Sequence, residues 1–165
     1  MAAPATDIAV HDPDGIHLDD GYQTLISFAV NPQASFWEKS VKPPGMDGGD
    51  PIDTTTMHNQ TWRTMAPRQL VSMTELNLTV AYDPVLYDAA TVAGSALNLL
   101  NQKTTVNVTF PDGSVLAFYG FMRSFDPTPL EEGAQPEATM VVVVTNQDPS
   151  TGEEEDPVLV NRPST

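Results

Sequence analysis

The feature that most constrains the fold is an alternation of apolar and polar residues on both sides of a short turn. Val106, Val108 and Phe110 alternate with polar residues, the turn is Pro-Asp-Gly-Ser at 111–114, and a second apolar segment follows at 115–125. Successive side chains of a β-strand point to opposite faces, so this pattern predicts strands. Proline, aspartate, glycine and serine are typical turn residues. These residues are therefore predicted to form a β-hairpin.

Three further segments have strand patterns. Residues 22–30 and 70–82 alternate in the same way, and residues 137–146 contain a continuous apolar run at 140–144. The last run and residues 115–122 are apolar on both faces, whereas one face of a small antiparallel sheet normally contacts water. We therefore expect a second layer over this sheet, supplied by a helix or by a neighbouring subunit.

One helix is predicted between the strands. Asp83 is a cap-type residue, Pro84 suits the first helical position, and apolar residues recur at helical spacing over about 84–101. Gly94 inside this pattern costs about 1 kcal/mol relative to alanine, so a shorter or broken helix is the alternative. The fold class predicted is mainly β: an antiparallel β-sandwich or partial barrel with one flanking α-helix.

The sequence indicates one domain with acidic flanks. A chain of 165 residues has the size of a single domain. Residues 1–20 form an acidic N-terminal segment, 21–146 the β domain, and 147–165 an acidic tail. The tail contains the run Glu-Glu-Glu-Asp at 153–156 and is expected to be flexible; the alternative is that residues 158–160 dock as a short strand.

The connection at residues 31–67 is long, rich in turn residues and without periodicity. Such connections are uncommon in compact domains and are usually functional or disordered. This one contains both tryptophans of the chain and more apolar side chains than a solvated loop needs. We therefore predict that it packs against an adjacent subunit. The predicted interface residues are Phe36, Trp37, Ile52, Met57, Trp62, Arg63 and Met65.

The tryptophans also allow a second interpretation. Phe36-Trp37 and Trp62-Arg63 could provide a platform on which a sugar or a base stacks. Tryptophan and arginine are enriched in protein interfaces, which favours buried interface anchors. A monomeric carbohydrate-binding β-sandwich is kept as the alternative.

The charge of the chain argues against several partners. Twenty-two acidic residues face seven basic ones, for a formal net charge of −15. Duplex DNA carries one negative charge per ~1.7 Å of axis, so specific binding to DNA or to anionic membranes is not expected. No apolar stretch approaches the ~20 residues of a membrane helix, and no signal-peptide pattern opens the sequence. We expect synthesis and folding in the cytosol.

Candidate residues for chemistry are few. The best metal candidate is the segment containing His11, Asp12 and His17, but an EF-hand would need a glutamate where Gln23 stands. A solvated acidic segment is the preferred interpretation. The chain has no cysteine, and it contains no nucleophile elbow, Walker motif or dinucleotide-binding motif. We expect no enzyme activity, metal site or cofactor.

Several short motifs follow one another in a characteristic order. They are Ile52-Asp-Thr-Thr-Thr-Met57, Trp62-Arg-Thr64, Pro67-Arg-Gln-Leu70, Leu78-Thr-Val-Ala-Tyr-Asp83, Phe110-Pro-Asp-Gly-Ser114 and Phe125-Asp-Pro-Thr-Pro129. This order resembles the major tail proteins, or tail-tube proteins, of siphophages. The resemblance covers residues 22–146, and neither acidic flank is matched.

The resemblance implies a structural virion protein of the phage tail, assembled in the host cytoplasm. Such proteins are similar in fold to the tubes of contractile tails and type VI secretion. Six identical subunits would form a ring, and rings would stack around a tape-measure protein. Tail-terminator and tail-tip proteins would be further partners, and the long loop would reach neighbouring subunits.

DNA would pass through the lumen of this tube without specific binding, since an acidic wall offers no phosphate contacts. A tube protein of a contractile tail or of a secretion system is the alternative within the same superfamily.

Overall fold

The computed structural model describes residues 21, 23–32, 34, 36–87 and 96–160. These residues form mainly antiparallel β structure, as predicted. The strands are β1 (Leu25–Phe28), β2 (Glu38–Lys42), β3 (Met46–Asp47), β4 (Ile52–Asp53), β5 (Met65–Ala66), β6 (Ser72–Met73), β7 (Leu76–Ala81), β8 (Thr104–Thr109), β9 (Val115–Pro127), β10 (Glu137–Val144) and β11 (Val158–Val160). The helical elements are a 3-10 helix (Pro84–Tyr87) and α1 (Ala96–Leu99).

The main sheet has the strand order β1-β8-β9-β10-β7-β2, with β11 added to β9. The long strand β9 pairs with β8 along one edge and with both β10 and β11 along the other. The two outermost strands, β1 and β2, lie close to each other. The backbone N–H of Ile26 in β1 donates to Glu38 Oε1 in β2 at 3.0 Å. The sheet is thus a partial barrel whose last seam is bridged by a side chain.

The core follows from the alternating pattern. Along β7 and β8 every second residue is buried, in the order that the period-two pattern predicts. The largest fully buried side chains are Phe28, Leu76, Leu99, Met122, Met140, Val80, Val106, Val108 and Val142. Burying a side chain of this size contributes about 1.5–3 kcal/mol, so these residues hold the sheet in its curved shape.

The predicted hairpin is confirmed as β8 and β9. In the turn, the N–H of Phe110 donates to the carbonyl of Ser114 at 2.9 Å. Gly113 has a φ of 86°, which a residue with a Cβ adopts only with strain. Asp112 Oδ1 accepts from both the backbone N–H and the hydroxyl of Ser114, at 2.9 and 2.6 Å. The turn chemistry therefore sets the register of the hairpin.

The predicted helix is described only at its ends. Pro84–Tyr87 is a 3-10 helix in which the N–H of Val85 donates to Asp83 Oδ1 at 3.0 Å. Ala96–Leu99 is a short α-helix that buries Ala96 and Leu99 against the sheet. Residues 88–95, with Gly94, lie outside the described part. Among the described residues, no helix has the length and apolarity to cross a membrane.

The long connection contains more regular structure than expected. Glu38–Lys42, inside the segment predicted to lack it, is β2, an edge strand of the main sheet paired with β7. Residues 43–75 connect β2 to β7 and extend away from the main sheet. Their outgoing and returning halves pair in two short antiparallel ladders, β3 with β6 and β4 with β5. The expectation of a structureless connection is therefore wrong here. We call residues 43–75 the arm.

The C-terminal region is also more ordered than expected. Val158–Val160 pairs with β9 as β11, which confirms the docking alternative and overturns the flexible tail for these residues. The preceding turn is tied back by the N–H of Asp148, which donates to the Glu153 carbonyl at 2.9 Å, and by the N–H of Glu155, which donates to the Asn146 carbonyl at 3.0 Å. Residues 1–20 and 161–165 lie outside the described residues.

Candidate interaction surface

The structure separates Phe36 from the other predicted interface residues. The Phe36 side chain is only 6% exposed and packs edge-on against Phe28, with ring centroids 6.3 Å apart. The prediction that Phe36 lies at a subunit interface is therefore wrong, because this ring completes the core of its own fold. Trp37, the next residue, faces the opposite way and is 64% exposed.

The remaining predicted residues lie on the surface. Trp62 is 81% exposed and Met57 fully exposed, and Ile52, Met65 and Arg63 are exposed as well. Trp37 directly precedes β2 in the main sheet, whereas the other five belong to the arm. The structure thus brings Ile52, Met57, Trp62, Arg63 and Met65 onto one element and leaves Trp37 on another.

The arm exposes further apolar residues that the sequence reasoning missed. Met46, Leu70 and Val71 are all more than half exposed, so the arm displays seven large hydrophobic side chains. Met46 lies in the long connection but was not among the predicted interface residues. Leu70 and Val71 lie at the start of the segment predicted as a strand at 70–82, of which residues 70–75 belong to the arm instead. Exposed apolar surface concentrated in this way typically marks an interaction site.

Polar contacts hold the tip of the arm in a defined shape. The N–H of Thr54 donates to the Thr64 carbonyl at 2.9 Å, and the hydroxyls of the same two residues are 3.0 Å apart. Asn59 links the turn, since its Oδ1 accepts from the Thr56 N–H at 2.9 Å and its Nδ2 donates to the Trp62 carbonyl at 3.0 Å. A surface ordered in advance loses less conformational freedom on binding.

The base of the arm is fastened by a separate set of contacts. The N–H of Gly45 donates to Thr74 Oγ1 at 2.7 Å, and the N–H of Thr74 donates to the Gly45 carbonyl at 2.9 Å. Further out, Arg68 Nε donates to the Asp50 carbonyl at 2.7 Å. These contacts join the outgoing and returning chains, so the arm is a hairpin along its length.

The start of the tip contains one perturbed carboxyl. Hydrogen bonds from the side chain and the backbone N–H of Thr55 lower the pKa of Asp53 below its usual value. The N–H of Thr55 lies 2.9 Å from Asp53 Oδ1. The charged form of Asp53 therefore stabilises the turn into the tip.

The charge of the arm changes along its length. Its inner part contains Asp47, Asp50, Asp53 and Glu75 together with Arg68, whereas residues 54–64, which we call the outer arm, contain Arg63 and no acidic residue. The outer arm is therefore cationic and apolar, although the rest of the arm and the chain as a whole are acidic.

The outer strands of the main sheet provide a second incomplete surface. Within the described part of the chain, β1 and β2 each pair with one strand only. A groove of about 600 Å³ lies between them, lined in part by Leu25, Glu38 and Val41. Unpaired strand edges are templates for association with another chain.

No arrangement for metal chemistry is found among the described residues, which contain no group of three or more histidines or carboxylates suited to hold an ion. The candidate segment with His11, Asp12 and His17 lies outside them.

Comparisons with known proteins identify the fold. No protein-family profile matches the sequence, and no curated protein matches it either. Among solved structures, a chain in the virion of a native gene transfer agent particle superposes with a TM-score of 0.52 at 16% identity, over 76% of this chain and 93% of that chain.

Two further structures give the same result. A chain in the tail of an empty gene transfer agent particle, refined with C6 symmetry, has a TM-score of 0.54 at 12% identity, over 76% of this chain and 93% of that one. A chain in the sixfold-symmetrised baseplate of the anti-feeding prophage has a TM-score of 0.53 at 10% identity, over 83% of this chain and 90% of that chain. At these identities the shared property is the fold, which spans nearly all of each matched chain.

Proposed function

We propose that this chain is a structural tail protein that self-assembles into six-membered rings, which stack into a phage tail tube. The observation that carries the proposal is the arm: seven exposed hydrophobic side chains on an internally hydrogen-bonded hairpin. The proposal is supported by the fold, which chains in tail and baseplate particles of sixfold symmetry share.

Ring closure is assigned to the seam of the main sheet. The outer edges of β1 and β2 would meet strands of neighbouring copies, with Leu25 covered in the contact. Joining edges around a closed ring removes the exposed strand edges that otherwise promote disordered aggregation.

The arm would then make the contacts between neighbouring subunits or successive rings. Ile52, Met57, Trp62, Arg63 and Met65 are the proposed contact residues on it, with Trp37 at the edge of the main sheet. Tryptophan, methionine and arginine are enriched in the cores of protein interfaces.

The proposed tube is a conduit for DNA during ejection. A wall built from a chain with a net charge of −15 repels phosphates, so DNA slides past without binding. The tube would be built in the host cytoplasm around a tape-measure protein and closed by tail-terminator and tail-tip proteins.

Two versions of the proposal differ in the particle. The gene transfer agent tail and the anti-feeding prophage baseplate both contain this fold, so the fold is compatible with a siphophage tail and with a contractile or secretion-type system. A sheath gene beside the coding sequence would favour the second version. A tape-measure gene without a sheath gene favours the first.

The proposal is tested by electron microscopy of the purified chain over a range of concentrations. Rings with sixfold symmetry, or tubes made of such rings, are the expected result. A monodisperse monomer at every concentration, with no tube containing this chain in particles from its source, would refute the proposal.

A further inference from the structure

We propose that the outer arm of one copy docks on the acidic C-terminal surface of a second copy. We define this acceptor surface as residues 153–156 together with β11. The inference rests on the proposed self-assembly and assigns the surface that receives the arm.

The acidic part of the acceptor surface is ordered. Glu153, Glu154, Glu155 and Asp156 are exposed, and their backbone is tied back to residues 146–148 by the two hydrogen bonds of the preceding turn. Gln147 Nε2 adds a third bond, to the Gly152 carbonyl at 3.0 Å. The backbone that carries these four exposed carboxylates is thus held against the preceding turn.

The apolar part of the acceptor surface lies directly beside these carboxylates. Val158, Leu159 and Val160 pair through their backbones with β9, yet each side chain is between 44% and 51% exposed. A small groove of about 90 Å³ opens where Glu155 and Asp156 approach Ala117, Phe118 and Tyr119. The pKa of Tyr119 is raised, mainly by burial and to a smaller extent by the negative charges of Asp148 and Glu155. The negative electrostatic potential of the acidic turn therefore extends to this groove.

The outer arm has the complementary composition. Its exposed side chains include Met57, Trp62 and Arg63, and residues 54–64, which form the tip, contain no acidic residue. Arg68 is engaged within the arm through the Asp50 carbonyl. Arg63, in contrast, has no hydrogen-bond or ion-pair partner in the described part of the chain, which leaves its guanidinium available to a carboxylate of another copy.

The alternative acidic surface fits the arm less well. The loop after β9 contains the adjacent pair Glu131 and Glu132 beside one exposed hydrophobic residue, Leu130. The acceptor surface offers four carboxylates and three partly exposed hydrophobic residues. Charge and apolar area together therefore favour β11 and its preceding turn.

The positions of the two surfaces suit repeated association. The arm leaves the sheet from β2 and β7, whereas the acceptor surface lies on β9, and β10 separates β7 from β9. Contact between two different surfaces of identical copies is heterologous, and such contacts generate rings or stacked filaments.

The test is a charge-swap experiment on full-length protein, with the concentration at which half of the chain is assembled measured by sedimentation. We expect Arg63→Glu to raise this concentration about tenfold, and Glu154→Arg with Glu155→Arg to raise it as much or more. Combining all three substitutions should restore assembly to within about threefold of wild type, since opposite charges again face each other.

Two matched controls separate local contacts from net charge. Lys103→Glu changes the net charge as Arg63→Glu does, and Glu131→Arg with Glu132→Arg matches the acidic reversal; all three residues are exposed and lie outside both surfaces. Both controls should assemble within about twofold of wild type. Circular dichroism melts verify that each variant is folded.

The outcomes distinguish this inference from the proposed function. The docking inference is overturned if the wild-type chain assembles but the charge reversals have no effect, or if the triple variant does not recover assembly. Either result leaves the tube proposal standing. Wild-type chain that never assembles overturns both.

Discussion

The main sheet and the arm are both antiparallel β structure, yet they place their hydrophobic residues in opposite ways. In β7 and β8 every second side chain is buried, whereas the strands β3, β4 and β5 of the arm leave Met46, Ile52 and Met65 exposed. The apolar core of the sheet is thus complete in one copy, whereas the apolar surface of the arm is not covered. The residues that fold this chain therefore differ from those that are proposed to join it to other copies.

This separation has an energetic basis. A hydrophobic side chain stabilises the monomer only to the extent that folding removes it from water. Met140 in the sheet is fully buried, whereas Met57 in the arm is fully exposed. Substitutions in the sheet should therefore change the free energy of unfolding, and those in the arm should change assembly.

The largest effect on stability is expected for Phe28→Ala in β1. Phe28 is 1% exposed and packs against Phe36, so its removal leaves a cavity that costs about 3–5 kcal/mol. Urea unfolding of the dissociated chain measures this loss. A decrease below about 1 kcal/mol would contradict the assignment of Phe28 and Phe36 to the core.

An intermediate effect is expected for Gly120→Ala, where β9 runs close to β10. A Cβ at position 120 would lie 2.5 Å from the carbonyl oxygen of Val143, so the strands must separate, at a cost of about 1–3 kcal/mol. Gly48→Ala in the arm is the matched control, because an added Cβ there would meet no atom within 4 Å apart from its chain neighbours. Thermal unfolding should separate the two variants; equal melting temperatures would count against the tight approach.

Trp62→Ala should have a small effect on the monomer and a large one on assembly. Since Trp62 is 81% exposed, the free energy of unfolding should change by less than about 0.5 kcal/mol. Because we propose Trp62 as an interface anchor, its removal should weaken the free energy of association by about 2 kcal/mol. The concentration at which half of the chain is assembled should then rise by a factor of about 30. Leu130→Ala, also exposed but outside the arm, should change neither quantity. If Trp62→Ala assembled at the wild-type concentration, the proposal that the arm lies at the interface would be contradicted.

The smallest effect concerns pH. Hydrogen bonds from Thr55 lower the pKa of Asp53 in the folded chain. The ionised carboxylate therefore stabilises the turn fully at pH values above the unfolded pKa of about 3.8. This stabilisation is lost as the pH falls through the lower pKa of the folded chain. In a nuclear magnetic resonance titration of the dissociated chain, the midpoint of the Thr55 amide shift should lie below the ordinary aspartate pKa. In Asp53→Asn this transition should be absent; a midpoint above the usual aspartate value would contradict the hydrogen-bonded geometry.

Where the sequence contains a long periodic pattern, it predicts the structure well. The hairpin of β8 and β9 follows from the alternation around residues 111–114 and from a turn that requires Gly113. The strand β2 was missed because Glu-Lys-Ser-Val-Lys does not alternate between apolar and polar residues. The strands of the arm are two residues long, too short for any period to be visible.

The candidate surface shows a different limit of sequence reasoning. Phe36 and Trp37 are adjacent and similarly hydrophobic, so composition placed both at the interface. Adjacent residues in extended chain point to opposite faces, and only the fold determines which face meets the core. Similarly, the acidic run and the hydrophobic residues after it are visible in the sequence, but their ordering against β9 depends on long-range pairing.

Hydrogen exchange on dilute and assembled protein tests the central claim most directly. The claim is that identical copies cover the arm and the outer edges of the main sheet, while the core of the sheet is already complete in each copy. Assembly should therefore slow exchange in residues 43–75 and at the edges β1 and β2, and leave the central strands β7, β9 and β10 nearly unchanged. Assembled particles in which the arm exchanges as fast as in the dilute chain would contradict the claim.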